Sequence, residues 1–442
     1  MLRGLCVLAT GALLALAAPG HAQQAGTRLP HAFVGARLHP VSGPPIDDAV
    51  LVVRDGRIEA VGPRDSTTIP SDAVVHDLAG KVVIPGLVCT HSHVGAPAGA
   101  DSSEPIQPEC RVLDSLDVRD PGFRKARAGG LTTLNVMPGS GHLISGQTLY
   151  VKLRHGDTVD ELCYRRPGGE PMGGLKMANG TNSMKAPPFP GTRGKSAALV
   201  RAMYVKARHY AEQKERAAGD PTKMPPVDLR LEALAEALSG KRVVHHHTHR
   251  HDDILTVLRI ADEFGLKVVL HHVSDAWKVA DEIAAAGTPC SLILLDSPGG
   301  KLEAMDIDFA NGRALEERGV NVAFHTDDGI TDSRWFLRMA AFGIRGGMSE
   351  QGALRALTLS GAEMLELDDR VGSLESGKDA DFVVLSGAPF SVYTRIEETW
   401  VEGQRVFDLD DPEDRLFAEG GYGASRGQAW HFCCFRQGAN AR

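Results

Sequence analysis

Between residues 85 and 366 the chain repeats one unit, a short apolar run followed by a helix-patterned stretch, and this alternation restricts the fold more than any other feature. Val243 to His247 reads as a strand. Ile254, Val257, Leu258 and Ala261 then recur at helical spacing behind the capping pair Asp252-Asp253, and Gly265 stops the helix. Lys267 to His272 is the next strand, and Val320 to Asp327 another, leading into a helical stretch from Ser333 to Phe342. Strands joined through helices pair in parallel, because a parallel crossover needs a dozen or more residues to return the chain. Roughly 280 residues of such units suit a closed (β/α)8 TIM barrel, which is the expected architecture.

The flanks differ in texture. Ala49 to Val53 and Ile58 to Gly62 are short strands around the hairpin signal Asp55-Gly56. Phe382 to Leu385 and Glu398 to Val406 repeat that texture near the other end. Residues 23–84 and 367–415 are therefore expected to join as two arms of one small β-sandwich domain beside the barrel, leaving 416–442 as a tail. Residues 168–194, rich in Gly, Pro, Asn and Ser, suggest a loop over the site.

A chain of 442 residues would by length alone hold about three domains, but a barrel absorbs 250 or more residues as one. With 43% hydrophobic and 24% charged residues and a net charge of −8, nothing favours a nucleic-acid partner or an anionic membrane surface. Residues 1–22 read as a secretory leader: Arg3 before the apolar stretch Leu5 to Ala18, then the small-x-small site Gly20-His21-Ala22. An uncleaved anchor is the alternative; otherwise the expectation is an exported protein, periplasmic or secreted, with no membrane contact after cleavage. Of seven cysteines, Cys6 falls in the leader. Cys89, Cys110, Cys163, Cys290, Cys433 and Cys434 show no C-x-x-C spacing, so one or two disulfides are allowed but no disulfide scaffold.

Histidine is distributed unevenly. His91-Ser92-His93 follows the apolar run Val82 to Val88; in a strand, residues i and i+2 face the same way, so both imidazoles point to one side. His245, His246, His247 and His249 end a second strand, His271 and His272 a third, and His325 lies two before Asp327 on a fourth. Packing explains one buried histidine easily, but four strand ends that converge where barrel enzymes keep their chemistry point to a metal site.

These pieces together resemble the amidohydrolase superfamily, in particular its imidazolonepropionase-like and prolidase-like members. The resemblance rests on Ile84-Pro85-Gly86-Leu87-Val88 before His91-Ser92-His93, Gly130-Leu131-Thr132-Thr133, Gly174-Leu175-Lys176-Met177, His247-Thr248-His249, Leu270-His271-His272, His325-Thr326-Asp327 and the turn Val371 to Asp381. It spans residues 30 to 410. It implies His91 and His93 as first-strand metal ligands, His247 and His272 as ligands on the fifth and sixth strands, and Asp327 as the eighth-strand carboxylate. Lys176 falls where two-metal members carry a carboxylated lysine bridging both ions; the other reading is a plain cation facing substrate or solvent. Cys89 stands where the family usually has an aspartate supporting the site.

The implied chemistry is metal-assisted hydrolysis of a C–N bond in a linear amide, cyclic amide or dipeptide, on a small-molecule substrate. One or two divalent ions, zinc by the imidazole-rich donor set, would lower the pKa of bound water from about 15.7 toward about 7. Asp327 would serve as general acid and base. His142 and His249 are candidate substrate-binding donors to the oxyanion or pocket-lining residues, and Arg193 either pairs with a substrate carboxylate or braces its loop. Rival readings are a lactone or other-bond hydrolase on the same site, and an inactive exported metal-binding protein. Assembly into a homo-oligomer stays open.

Overall fold

The computed structural model of the chain describes residues 29–95, 101, 103–294 and 301–424. The leader and the tail segment with Cys433 and Cys434 lie outside the described residues. Cys89, Cys110, Cys163 and Cys290 are free thiols. Among the described residues no helix is long and apolar enough to cross a membrane.

The molecule is α/β with mixed sheets. One arc carries five parallel strands in succession, Leu175–Ala178, Val244–Thr248, Val268–His272, Cys290–Leu292 and Val322–Phe324. A second arc pairs Leu87–Ser92 in parallel with Leu131–Val136. Every residue of these seven strands is buried, as expected of parallel strands covered on both faces. Between the arcs the chain departs from simple alternation. Ile144–Gln147 pairs antiparallel with Leu175–Ala178, and Leu149–Lys152 antiparallel with Leu131–Val136, so the two arcs share a covalent link at Thr148. At the other ends of the arcs, the Asp327 N–H donates to the His91 carbonyl at 3.0 Å.

The helix His251–Phe264 illustrates how the units pack. Arg250, in extended backbone, precedes it, Asp252 and Asp253 sit in its first turn beside the positive end of the helix dipole, and Gly265 ends it at φ +66°. The helix thus starts one residue earlier than the aspartate pair suggests. It buries Ile254, Val257, Ile260 and Phe264, a face rotated from the expected one, with Leu258 and Ala261 only partly covered. Full burial of each large apolar side chain stabilises the fold by about 1.5–3 kcal/mol.

The two arms meet in one eight-stranded sheet. Phe382–Leu385 pairs antiparallel with Val82–Pro85, joining the C-terminal strands to His31–Leu38, Ile46–Arg54 and Arg57–Pro63. Asp55 and Gly56, both at positive φ, make the tight hairpin turn between Ile46–Arg54 and Arg57–Pro63. The stretch 398–406 is broken by a second such turn at Glu402-Gly403, giving Ile396–Val401 and Gln404–Asp408 as a hairpin. Gly86 marks the passage from this sheet into the arc that begins with Leu87: a Cβ there would stand 2.3 Å from the Thr132 hydroxyl, so only glycine fits.

Candidate metal centre

The carboxyl ends of the parallel strands deliver the histidines to one place. His91 is fully buried at the end of Leu87–Ser92, and His93 follows in the next turn, its Nδ1 2.8 Å from the Met137 carbonyl. That contact leaves Nε2 facing inward, 3.3 Å from His91 Nε2. Asp327 arrives from beyond Val322–Phe324 and places Oδ1 3.2 Å from His91 Nε2 and 2.9 Å from His93 Nε2. Ligands bound at 2.0–2.2 Å to one tetrahedral ion stand about 3.3 Å apart, so these three atoms fit a common divalent ion. Lys176 is fully buried on its strand, with Nζ 3.1 Å from His91 Nε2 and 2.9 Å from Met137 Sδ.

His247 and His272 lie on a second side of this centre. Their ring centroids are 4.4 Å apart, and His272 lies 5.0 Å from His91. Both nitrogens of His247 and Nε2 of His272 are buried with no hydrogen-bond partner. His325, which strand alternation also turns inward, holds His272 through a 3.1 Å contact to its Nδ1 and is itself held by Ser291 at 2.7 Å. Three residues at these strand ends occupy the left-handed backbone region: His272 (φ +69°), Val273 (φ +39°) and Asp327 (φ +49°). Such conformations cost about 1–3 kcal/mol each and concentrate at functional sites.

Electrostatics prepare the donors for a cation. Burial, reinforced by neighbouring Lys176 and histidines, holds His91 well below the ordinary imidazole range. His247 and His272 are displaced in the same direction, again by burial first. Neutral imidazoles keep a lone pair for a metal. Burial drives Lys176 down to about 7, against the pull of Asp327. Burial opposes ionisation of Asp327, yet the His93 hydrogen bond and the electrostatic attraction of His93, His325 and Lys176 hold it at about 2.

The supporting residues differ from the family pattern at one point. Cys89 donates to the His91 carbonyl at 3.1 Å and accepts the Thr326 N–H at 3.3 Å, tying both ligand-bearing ends together. Burial pushes this thiol up to about 12, so it brings no charge. A carboxylate is supplied instead by Asp328, which accepts hydroxyls from Ser92 at 2.6 Å, Thr326 at 2.7 Å and Ser333.

The remaining candidates lie around this centre. His249 is buried beside His247, with ring centroids 4.7 Å apart, and its Nδ1 contacts Ser274 at 2.8 Å. His142 is buried against Phe189 with both nitrogens unpartnered. Arg193 is engaged within the protein, donating to Asp253 at 2.8 Å and Glu303 at 3.3 Å, and so braces the loop that precedes its helix. Glu303, absent from the sequence-derived set, is buried, and its carboxylate clusters with His247 and His249.

A model of the Amidohydrolase family matches residues 276–407. An amidohydrolase of Hapsidospora irregularis is 27% identical over 389 residues, covering 81% of this chain and 40% of that protein, so the chain spans about two fifths of that relative's length. The imidazolonepropionase of Deinococcus radiodurans is 29% identical over 378 residues, covering 77% of this chain and 86% of the enzyme. The solved structure of an amidohydrolase from Thermotoga maritima superposes with a TM-score of 0.78 at 32% identity, over 85% of this chain and 99% of that one.

Proposed function

Because the chain belongs to the amidohydrolase family, we propose that it is a metal-dependent hydrolase of C–N bonds in small molecules, its site built at the carboxyl ends of one (β/α)8 barrel. The observation that carries this reading is the meeting of His91, His93 and Asp327 at 2.9–3.3 Å from opposite ends of the repeat, with Lys176 3.1 Å from His91. The two hydrogen-bonded arcs are read as walls of that barrel, and the eight-stranded sheet as its companion β-sandwich formed from residues 23–84 and 367–415.

His91, His93 and Asp327 would hold one divalent ion, and His247 with His272 a second. Zinc suits this donor set, as a Lewis acid that also lowers the pKa of water toward about 7. Lys176, brought to about 7 by burial and with no carboxylate in hydrogen-bonding contact, would be suited to take up carbon dioxide as a carbamate, which would add an oxygen donor to the ligand set. Asp327, ionised at neutral pH and fixed by His93, accepts the proton of the attacking water and returns it to the leaving nitrogen. The unpartnered buried nitrogens of His249 and His142 support their reading as donors to the substrate, and Arg193, held by Asp253, would brace the neighbouring loop. The leader pattern around Arg3 and Gly20-His21-Ala22 supports an exported enzyme, periplasmic or secreted, acting on small external amides, cyclic amides or dipeptides.

Metal content of the purified protein by mass spectrometry, with Lys176→Ala alongside, tests this reading. Two ions per chain, falling in the variant, support the carbamate-bridged centre and direct substrate screening to dipeptides and acyl amides. One ion, unchanged in the variant, removes the carbamate and favours a cyclic-amide substrate. A protein that binds no divalent ion sinks the mechanism.

A further inference from the structure

The 3-10 turn Leu302–Ala304 brings Glu303 to the edge of the histidine cluster, where its carboxylate and the ligating nitrogens of His247 and His249 lie within 4.8 Å of one another. The carboxylate is anchored on one side only. Oε2 accepts the Thr181 N–H at 2.8 Å and the Arg193 guanidinium at 3.3 Å, whereas Oε1 is buried without a hydrogen-bond partner. Gly180, at φ +71°, forms the floor of the cradle: a Cβ there would stand 2.6 Å from Oε2 and 3.1 Å from Oε1. Across from it, His249 engages Ser274 through Nδ1 and leaves Nε2 unpartnered, and His247 leaves both nitrogens unpartnered.

Three elements distant in sequence therefore bury an unsatisfied carboxylate oxygen beside unsatisfied imidazole nitrogens. Folded chains rarely leave such atoms without a partner, because their lost hydration is not recovered. Each group can offer an electron pair, and neither Arg193, which engages only Oε2, nor the neighbouring Lys301 hydrogen-bonds the free atoms, an arrangement that suits a bound cation. Two imidazoles with one carboxylate form a familiar donor set for a divalent metal ion. We propose that His247, His249 and Glu303 form a divalent-cation position separate from that of His91, His93 and Asp327. It rests on the hydrolase reading only in using His247 and His249, which that reading gives to the second ion and to the substrate; here Nε2 of His249 and the Glu303 carboxylate complete the His247 position in place of His272.

Titration of the metal-stripped full-length protein with cobalt(II), followed by visible absorption and a binding isotherm, separates these positions. Glu303→Gln and His249→Asn, changes on different elements, should each weaken the same class of sites by about tenfold or more. Both variants should retain the class that Asp327→Asn abolishes. Isotherms and spectra of both variants that superpose on the wild type overturn the proposal. So does a single class in the wild type, lost with Asp327→Asn, which leaves the hydrolase reading standing. Unaltered cobalt binding in Glu303→Gln with a raised KM for an amine-bearing substrate also overturns it, assigning the carboxylate to substrate. Retention of all cobalt binding in Asp327→Asn instead strikes the hydrolase reading and leaves the Glu303 position to be judged on its own two variants.

Discussion

Lys152 and Lys176 are both fully buried, yet their surroundings give them opposite chemistry. Lys152, where the strand Leu149–Lys152 meets the arm sheet, contacts Asp379 directly and lies 3.4 Å from Asp381 and 3.5 Å from Glu402. Arg370 shares Asp379 at 2.7 Å, and the amine lies 5.3 Å from the centre of the Tyr164 ring. Burial opposes its charge, but Asp381, Tyr164, Asp379 and Glu402 outweigh it and push the pKa up. Lys176 meets an imidazole and a thioether, and burial prevails. Burial alone does not decide whether a lysine is a structural cation or a reactive amine; the nearest carboxylate does.

Lys152→Met breaks the comparison on its structural side and has the largest expected effect. It leaves the buried Asp381 without its cation and takes one of three from Asp379, and should cost about 3–5 kcal/mol in denaturant unfolding, with metal content unchanged. A loss under about 1 kcal/mol, as for an exposed pair, would show that Arg370 and Arg57 suffice for these carboxylates.

Lys176→Met acts on the other side. No carboxylate loses an ion pair, so stability should shift by less than about 1.5 kcal/mol, while metal affinity read by competition with a chelator falls by about 10–100-fold. Equal affinity in the variant would return Lys176 to a spectator.

The smallest effect, and the one that sharpens the contrast most, is a slope. In metal-free buffer purged of carbon dioxide, Lys176 is protonated in the unfolded chain up to its ordinary 10.5 but in the folded protein only up to about 7. The unfolded state therefore binds more protons between those values, and stability should rise with pH across that window, by at most about 1.4 kcal/mol per pH unit. Lys152 stays protonated in the folded protein throughout and in the unfolded chain until the top of that window, so it adds no slope over most of it. Unfolding curves from pH 7 to 10 for the wild type and Lys176→Met should diverge; parallel curves would mean that the amine is not neutralised on folding.

Strand periodicity made much of this legible. His91, His247 and His272 stand out because a short apolar run ending in histidine has one physical direction in which to point. The pair Asp55-Gly56 announced its hairpin, because both residues must accept positive φ. The antiparallel insertions Ile144–Gln147 and Leu149–Lys152 were not legible, since their apolar texture matches that of a parallel strand and only pairing distinguishes the two. Glu303 left no signal either. It lies on the single 3-10 turn Leu302–Ala304, too short to show periodicity, and its carboxylate is held by Thr181 and Arg193, more than 100 residues away. Asp328 was hidden behind Asp327, since only the cage of Ser92, Thr326 and Ser333 hydroxyls separates a supporting carboxylate from a ligating one.

The pairing of Phe382–Leu385 with Val82–Pro85 has a consequence for how the chain is made. The N-terminal strands leave the ribosome about 300 residues before their sheet partner, an interval on the order of 15–60 s at ordinary elongation rates. During that time Val82–Pro85 presents an open edge, the kind that pairs with other nascent chains, while the histidine-bearing segments between are still emerging. Chaperone dependence during synthesis should therefore track that unpaired edge, and a chain released before Phe382 would lack the strand that closes it.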